Sequence, residues 1–201
     1  MRFRNLKNKD EIISNCNFFY NDFPFLNDNP IHIEIGMGKG SFILKMAQEF
    51  PNINFIGIEK FSSVAASAIK KLQEFNLPNL RILIMDAIDL DSILENKIAC
   101  IYLNFSDPWP KKKHEKRRLT SPKFLDIYDK LFIDDKVIIQ KTDNDNLFQY
   151  SLESLKEHGY EIISLSYDLH NTDIFNVETE YEKKFISQNI KIKYLKAIIK
   201  K

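Results

Sequence analysis

Cysteine, glycine and long apolar runs are all scarce in this chain of 201 residues. Two cysteines, Cys16 and Cys100, are too few for a disulfide framework, so we interpret them as reduced thiols of a cytosolic protein. The four histidines lack metal-ligand spacing with either cysteine, and no metal site is predicted. The longest apolar run, Ile98 to Leu103, is too short to span a bilayer. We therefore expect a cytoplasmic protein that does not enter a membrane.

The charge of the chain is nearly balanced overall but strongly concentrated in one place. Residues 1–201 are expected to form one domain, with an N-terminal arm over residues 1–28. The net charge is only +1, yet the segment from Lys111 to Arg118 contains six Lys/Arg and one Glu. This cationic segment therefore carries +5 and the rest of the chain −4. A polyanionic partner would contact that defined patch.

Strand and helix patterns alternate along the chain. Short apolar segments predict strands, and apolar residues at helical spacing predict the helices between them. This alternation indicates an α/β fold with a mostly parallel seven-stranded sheet and helices on both faces. Ligands of such sheets bind beyond the carboxyl ends of the strands. The predicted strands are 31–35, 54–58, 81–85, 98–104, 136–140, 160–165 and 190–198.

Two connecting segments carry further signals. Ser121 is the predicted N-cap of a helix whose first residue is Pro122. A polar stretch of about twenty residues separates the last two strands, which is long for a loop without structure. We therefore treat that stretch as a candidate functional segment.

A glycine-rich turn connects the first predicted strand with the helix after it. The sequence there is Glu34-Ile-Gly-Met-Gly-Lys-Gly40, and its glycines allow a ligand to lie close to the backbone. A dinucleotide-binding loop would have glycine at position 41, where Ser41 stands. The E-x-G-x-G-x-G spacing resembles motif I of S-adenosylmethionine-dependent methyltransferases. A tight turn without a ligand is the alternative.

Acidic residues end the second and third predicted strands. Glu59 follows Gly40 by nineteen residues, where a carboxylate can accept hydrogen bonds from both ribose hydroxyls. Asp86 closes the third strand, where a side chain can reach the exocyclic amine of an adenine. Either residue alone could be a helix N-cap or a solvated strand end. Together with Glu34 they favour a bound S-adenosyl-L-methionine.

The fourth predicted strand leads into Asn104-Phe-Ser-Asp-Pro-Trp-Pro-Lys-Lys-Lys-His-Glu-Lys-Arg-Arg118. Two prolines restrict the backbone around Trp109, the only tryptophan of the chain. In such a loop an exposed aromatic ring could stack on an extruded nucleobase, Asp107 could contact its polar edge, and the run of cations could neutralise phosphates. The alternative is a capped turn with Trp109 buried and the cations on a solvated face.

These segments resemble the bacterial tRNA (guanine-N7-)-methyltransferases almost end to end, most specifically over residues 106–119. Lys141-Thr-Asp-Asn144, Asp168-Leu-His170 and Thr179-Glu-Tyr-Glu182 also match. The resemblance implies a Rossmann-like class I S-adenosylmethionine-dependent methyltransferase that acts on N7 of guanosine 46 in the variable loop of tRNA. The implied cofactor residues are Glu34, Gly36, Gly38, Gly40, Glu59, Asp86 and Asp107. The implied substrate and tRNA contacts are Lys111, Lys113, His114, Glu115, Lys116, Arg117, Arg118, Asp143, Thr179, Glu180, Tyr181 and Glu182.

The chemistry of guanine N7 limits what the protein must supply. N7 carries an in-plane lone pair and no proton, so its attack on a sulfonium methyl needs no general base. We hypothesise that Asp107 fixes the guanine edge and stabilises the developing positive charge, with Asp143 assisting. Asp143 serves equally well as a helix N-cap before Leu147. The stretch from Thr179 to Glu182 could fold over the base or form an ordinary surface loop.

Three other functions remain open from the sequence. Asp107-Pro-Trp109 loosely resembles the D-P-P-aromatic loop of methyltransferases that act on exocyclic amino groups, although Trp109 replaces the second proline. A nicotinamide-dependent dehydrogenase is disfavoured by Ser41. A non-catalytic RNA-binding protein is disfavoured by the intact set of acidic residues. Both a monomer and a homodimer are compatible with the sequence.

Overall fold

The computed structural model describes residues 6, 8–16 and 25–201. The chain divides into two compact units, Met1–Ala87 and Ile88–Lys201. Much of the predicted N-terminal arm over residues 1–28 lies outside the described residues. In the described part of the chain, no helix is both long and apolar enough to cross a membrane.

The first unit contains three parallel strands joined by helices. Its strands are β1 (Ile31–Ile35), β2 (Asn54–Ile58) and β3 (Leu80–Leu83), and its helices are α1 (Lys9–Ser14), α2 (Ser41–Glu49) and α3 (Ser62–Leu72). β2 pairs with both β1 and β3, and Glu34 of β1 lies beside Gly57 of β2. β2 is buried along its whole length. Such continuous burial is typical of a strand covered on both faces.

The helices α2 and α3 bury the faces that their apolar spacing predicts. α3 buries Val64, Ala65, Ala68, Ile69 and Leu72, together with Ala66. α2 starts directly after Gly40, whose φ of +72° is a conformation that favours glycine. A Cβ at this position would also lie 2.8 Å from Cδ1 of Leu72. Gly40 therefore allows the sharp turn into α2 and the close packing of α3 against that turn.

The second unit contains four strands and four helices among the described residues. Its strands are β4 (Ile98–Asn104), β5 (Phe132–Thr142), β6 (Glu161–Ser166) and β7 (Lys193–Ile199), and its helices are α4 (Asp91–Leu94), α5 (Pro122–Asp129), α6 (Asp145–Glu157) and α7 (Glu180–Ile186). Short 3₁₀ helices span Ala87–Asp89, Lys112–Arg117 and Leu169–Asn171. β5 runs parallel to β4, and β7 runs antiparallel to both β5 and β6.

The seven strands have the order β3-β2-β1-β4-β5-β7-β6. The sheet is thus mostly parallel, with β7 as the reversed strand, and the predicted seven-stranded α/β architecture is confirmed. β1, β2 and β4 have the predicted bounds. β3 ends at Leu83 and not at residue 85, so Asp86 lies three residues beyond the strand and does not close it.

The structure adds detail to two local predictions. Ser121 occupies the N-cap position of α5 and Pro122 begins the helix, as predicted, although the Ser121 side chain makes no capping hydrogen bond. Its hydroxyl instead donates to the carbonyl of Lys116 at 3.1 Å, which ties α5 to the cationic segment. The polar stretch before β7 is not a structureless loop, because it contains α7. Leu169 and Ile192 at its two ends join Tyr194 in a buried apolar cluster that anchors the stretch.

Candidate functional site

The glycine-rich turn after β1 leaves open space above its backbone. Gly36 and Gly38 have φ angles of +78° and +57°, and a Cβ built on either would meet no atom within 4 Å. The amides of Gly36 and Met37 donate to the carbonyl of Ile58 at 2.8 and 2.9 Å, which holds the turn against the end of β2. The turn thus has the room that a ligand lying against this backbone needs.

Glu59 directly follows β2 and is tied to the same turn. Its side chain is 7% exposed. Oε2 accepts the amide of Gly38 at 3.3 Å, and Oε1 accepts the amide of Phe61 at 2.9 Å. Burial raises the pKa of the Glu59 carboxyl above its ordinary value, and the backbone hydrogen bonds oppose that shift. Each carboxylate oxygen has a second lone pair, so Glu59 can still accept hydrogen bonds from ligand hydroxyls.

The other two predicted acidic residues of the first unit differ in exposure. Glu34 is buried in β1 at 3% exposure. The Asp86 side chain is 45% exposed and forms an ion pair with Lys60 at 3.6 Å. An exposed pair of this kind contributes little to stability, so a ligand can displace it at low cost. Because Lys60 adjoins Glu59 in the chain, this pair links the loops that follow β2 and β3.

Phe61 is a candidate binding residue that the sequence interpretation missed. Its ring is 58% exposed two residues after Glu59, and the ammonium of Lys60 lies 5.1 Å from the ring centroid. An exposed aromatic ring next to a carboxylate that faces an open turn can stack on a planar base. The sequence signal for it is an aromatic residue two positions after Glu59, the acidic residue that follows β2. The first unit therefore fits an adenosine-containing cofactor.

The loop after β4 holds Asp107 between two residues with an unusual backbone conformation. Phe105 and Trp109 have φ angles of +51° and +42°, which is uncommon for bulky side chains. The amide of Phe105 donates to the carbonyl of Lys141 at 2.8 Å, near the end of β5. Backbone strain of this kind persists only where the surroundings maintain it, and it concentrates at functional sites. Asp107 itself is exposed.

Trp109 is half-buried. Its exposure is therefore intermediate between the two alternatives, an exposed ring and a buried one. The guanidinium of Arg117 lies 4.9 Å from the centroid of the indole ring, within the range of a cation–π contact. The ring of His114 lies edge-on at 5.9 Å. A base that stacks on Trp109 must therefore displace Arg117 or use the opposite face of the indole.

Most cations of the segment are exposed, and its last residue is buried. Lys111, Lys113, Lys116 and Arg117 are exposed, and His114 and Glu115 are half-buried. Arg118, by contrast, is only 8% exposed. Its guanidinium donates to the carbonyls of Pro108 and Trp109, at 3.0 and 3.2 Å. This burial does not fit the predicted contact of Arg118 with RNA, because both hydrogen-bonded nitrogens face the protein.

Asp143 follows β5 and is half-buried. The N-cap of α6 is its neighbour Asn144, whose side chain accepts the amide of Leu147 at 2.8 Å. The alternative interpretation of Asp143 as the helix cap is therefore wrong. Lys193 donates to the carbonyl of Asp143 at 2.9 Å and forms an ion pair with Asp145 at 2.8 Å, which fixes the backbone of this turn.

The stretch from Thr179 to Glu182 is divided between buried and exposed residues. Thr179 and Glu182 form a capping box at the start of α7 and are 6% and 0% exposed. Glu180 and Tyr181 are exposed. Tyr181 stacks on Phe105 with ring centroids 6.2 Å apart, so α7 packs directly on the loop that carries Asp107.

Glu182 is the centre of a buried polar cluster in the second unit. Its Oε2 accepts Nζ of Lys141 at 2.8 Å, and its Oε1 lies 3.1 Å from Nε2 of His170 and accepts the side-chain amide of Asn176. The Lys141 side chain is only 4% exposed. This cluster links the end of β5 to α7, and the sequence interpretation did not find it because its members are far apart in the chain.

Comparison with known proteins identifies the family. A protein-family model described as "Putative methyltransferase" matches residues 28–195. A tRNA (guanine-N(7)-)-methyltransferase of Mesomycoplasma hyopneumoniae (strain J) is 46% identical over 200 residues, which cover 98% of this chain and 99% of that protein. This chain belongs to the tRNA (guanine-N(7)-)-methyltransferase family. Another member, from Geobacillus sp. (strain WCH70), is 55% identical over 170 residues, which cover 84% of this chain and 77% of that protein.

The family assignment confirms the resemblance seen in the sequence. A solved 16S rRNA (adenine(1408)-N(1))-methyltransferase from Catenulisporales acidiphilia, with cosubstrate SAM, matches with a TM-score of 0.63 at 12% identity. The match covers 100% of this chain and 94% of that one, and at this identity it shows the fold alone. The Rossmann-like class I methyltransferase fold is thus confirmed, and family and fold together support S-adenosyl-L-methionine as the methyl donor.

Proposed function

We propose that this chain transfers a methyl group from S-adenosyl-L-methionine to N7 of guanosine 46 in the variable loop of tRNA, forming 7-methylguanosine. Membership of the family supports a tRNA substrate and reaction at N7. The observation that carries the proposal is the loop after β4. There the exposed Asp107 lies between two aromatic residues with positive φ, and exposed cations begin four residues later at Lys111.

The proposed donor site uses the acidic residues and the open turn described above. When bound there, S-adenosyl-L-methionine would supply the methyl group from a positively charged sulfur, a charge that carboxylates of the site would stabilise. Glu59 is assigned to the ribose hydroxyls, and Gly36 and Gly38 let the backbone approach the ligand. Gly40 supports the site indirectly, because its missing side chain makes room for Leu72. The proposed donor-binding residues are Glu34, Gly36, Gly38, Gly40, Glu59, Asp86 and Asp107.

Asp107 is the proposed catalytic residue. Because guanine N7 has a lone pair and no proton, the protein need not remove a proton before the attack. Positive charge moves onto the purine during the reaction, and a carboxylate held at the base edge stabilises that charge. Asp143 can assist, since Asn144 already caps α6. Orientation of the reacting atoms can contribute about 7–11 kcal/mol in well-aligned reactions.

The proposed RNA-binding surface consists of the exposed cations after Asp107. Lys111, Lys113, Lys116 and Arg117 would neutralise phosphates, so binding should weaken as the salt concentration rises. His114 and Glu115 lie at the edge of this surface. On α7, Glu180 and Tyr181 are assigned to substrate contact because they are exposed, whereas Thr179 and Glu182 hold the helix.

The setting of the reaction follows from the substrate. We propose that the chain acts in the cytoplasm, where tRNA is its partner, as one methyltransferase domain over residues 1–201. All of the assigned contacts come from a single chain, so both a monomer and a homodimer can carry out the reaction.

A transfer assay on unmodified tRNA transcripts tests the proposed position. Tritiated S-adenosyl-L-methionine is supplied with a transcript that has guanosine 46 and with one in which adenosine replaces it. We expect label on the first transcript only. Equal labelling of both would contradict the position, and labelling of neither would contradict the activity.

Substitution of Asp107 tests its proposed role within the same assay. Asp107→Ala should abolish transfer while leaving the folded circular-dichroism spectrum unchanged, since Asp107 is exposed. Asp126→Ala is the matched control, because Asp126 is an exposed carboxylate on α5 with no assigned role. Near-normal turnover of Asp107→Ala would show that another group stabilises the charge.

A further inference from the structure

Arg118 differs from the other cations of its segment because it is turned into the protein. It is 8% exposed, whereas its neighbour Arg117 is exposed. We propose that Arg118 is a positioning residue that holds the backbone of the Asp107 loop, and that it does not contact RNA. This inference rests on the proposed function of that loop.

The guanidinium of Arg118 binds two successive carbonyls of the loop. Nε donates to the carbonyl of Pro108 at 3.0 Å, and Nη2 donates to the carbonyl of Trp109 at 3.2 Å. These are the two residues that follow Asp107. A planar guanidinium presents several donors in a fixed fork, so it can bind both carbonyls at once. A lysine ammonium at the end of a flexible stem cannot reproduce that geometry.

The other contacts of Arg118 fix it to the helices of the second unit. The guanidinium carbon lies 4.3 Å from the centroid of the Tyr150 ring on α6, a cation–π contact on a half-buried ring. The amide of Arg118 donates to the carbonyl of Glu115, and its own carbonyl accepts the amide of Ser121, both at 2.9 Å. Arg118 therefore joins the Asp107 loop to α6 and to the start of α5.

The backbone of the loop explains why such a connection is needed. Trp109 has a φ of +42°, a conformation that is unfavourable for a bulky residue and requires support from its surroundings. Arg118 provides that support through the carbonyl of Trp109 itself. The direction of the Asp107 side chain depends on the same short stretch of backbone, so loss of this support should misplace the carboxylate.

Kinetic and binding measurements on Arg118→Lys and Arg118→Met distinguish positioning from RNA contact. Arg118→Lys keeps the positive charge and loses the fork, whereas Arg118→Met loses both. We expect both variants to lower kcat, by up to about 100-fold, because small displacements of reacting groups have effects of that size. The KM for tRNA should change little.

The salt dependence of tRNA binding gives the sharpest contrast. Lys113→Ala, the matched control on the exposed part of the segment, should reduce the slope of log affinity against log salt by about 0.7–0.9. Arg118→Met should leave that slope unchanged. The proposal would be overturned if Arg118→Met reduced the slope and Arg118→Lys kept the turnover of the wild type. Those two results together would show that Arg118 contacts a phosphate.

Trp109 allows the loop to be observed without any methylation assay, because it is the only tryptophan. Arg118→Lys should increase the quenching of Trp109 fluorescence by acrylamide while the protein stays folded by circular dichroism. Tyr150→Leu, which removes the ring beneath the guanidinium, should also increase the quenching of Trp109, but by a smaller amount. This variant tests the proposal if the Arg118 variants do not fold. Unchanged quenching would overturn the proposal even if the wild-type enzyme methylates tRNA as expected.

Discussion

Removal of the Glu182 carboxylate should strongly destabilise the protein. Lys141 is buried, and its ammonium donates at 2.8 Å to each of Glu182 Oε2, Asn176 Oδ1 and the carbonyl of Val177. Glu182 is the acidic member of this set and is itself 0% exposed. Glu182→Ala would therefore remove the carboxylate that accepts the ammonium of this buried lysine, while its contacts with Asn176 and the carbonyl of Val177 remain.

The size of the effect follows from the burial of both partners. Removing one partner of a buried ion pair costs about 3–5 kcal/mol. For a chain of this length, each kcal/mol lowers Tm by about 2–4 °C, so Tm should fall by roughly 6–20 °C. The variant also loses half of the capping box of α7, since Glu182 Oε2 accepts the amide of Thr179 at 3.2 Å, which acts in the same direction.

Thermal unfolding followed by circular dichroism measures this loss. Glu180→Ala is the matched control, because Glu180 is an exposed carboxylate on the same helix and its removal should stay within about 0.5 kcal/mol. The double substitution Lys141→Met with Glu182→Leu removes both charges and should recover most of the lost stability. A Tm for Glu182→Ala within about 2 °C of the wild-type value would show that the Lys141–Glu182 pair contributes little to stability.

Three smaller predictions concern Gly40, Glu59 and Cys100. In urea unfolding, Gly40→Ala should lower the free energy of unfolding more than Gly159→Ala does. Both glycines have positive φ, but only a Cβ at Gly40 would meet Leu72 at 2.8 Å. Equal losses of stability in the two variants would contradict this packing contact. Burial raises the pKa of Glu59 above 4.5, so the folded protein favours the protonated carboxyl. The resulting contribution to the free energy of unfolding is present below pH 4.5 and is lost as the pH rises through the folded pKa. Glu59→Gln should therefore flatten the fall in unfolding free energy as the pH rises above 4.5, and a slope equal to that of wild type would count against the shift. Burial raises the pKa of the Cys100 thiol to about 12, so iodoacetamide should modify Cys100 only after unfolding, as peptide mapping can verify.

The sequence was sufficient for the elements whose signals are local. β1, β2 and β4 have their predicted bounds because apolar residues recur along each of them, alternating with His32 and Glu34 in β1. β5 begins at Phe132, four residues before its predicted start. The early part of β5 contains Asp134 and Asp135, and acidic residues are depleted in strands, so no sequence pattern marked it.

The features that the sequence did not reveal depend on contacts between distant residues. Lys141 and Glu182 are 41 positions apart, and no periodicity relates them. Arg118 ends a run of cations, and such a run gives no sign that one member is turned inward. Its burial depends on the carbonyls of Pro108 and Trp109, whose positions follow from a backbone conformation that the residue types do not encode.

Analysis of the methylated nucleoside is the most direct test of the proposed reaction. The chain is incubated with S-adenosyl-L-methionine and unmodified tRNA, the product is digested, and the nucleosides are separated and fragmented in a mass spectrometer. We predict 7-methylguanosine as the product. A nucleoside methylated on an exocyclic amino group would contradict the assignment of N7.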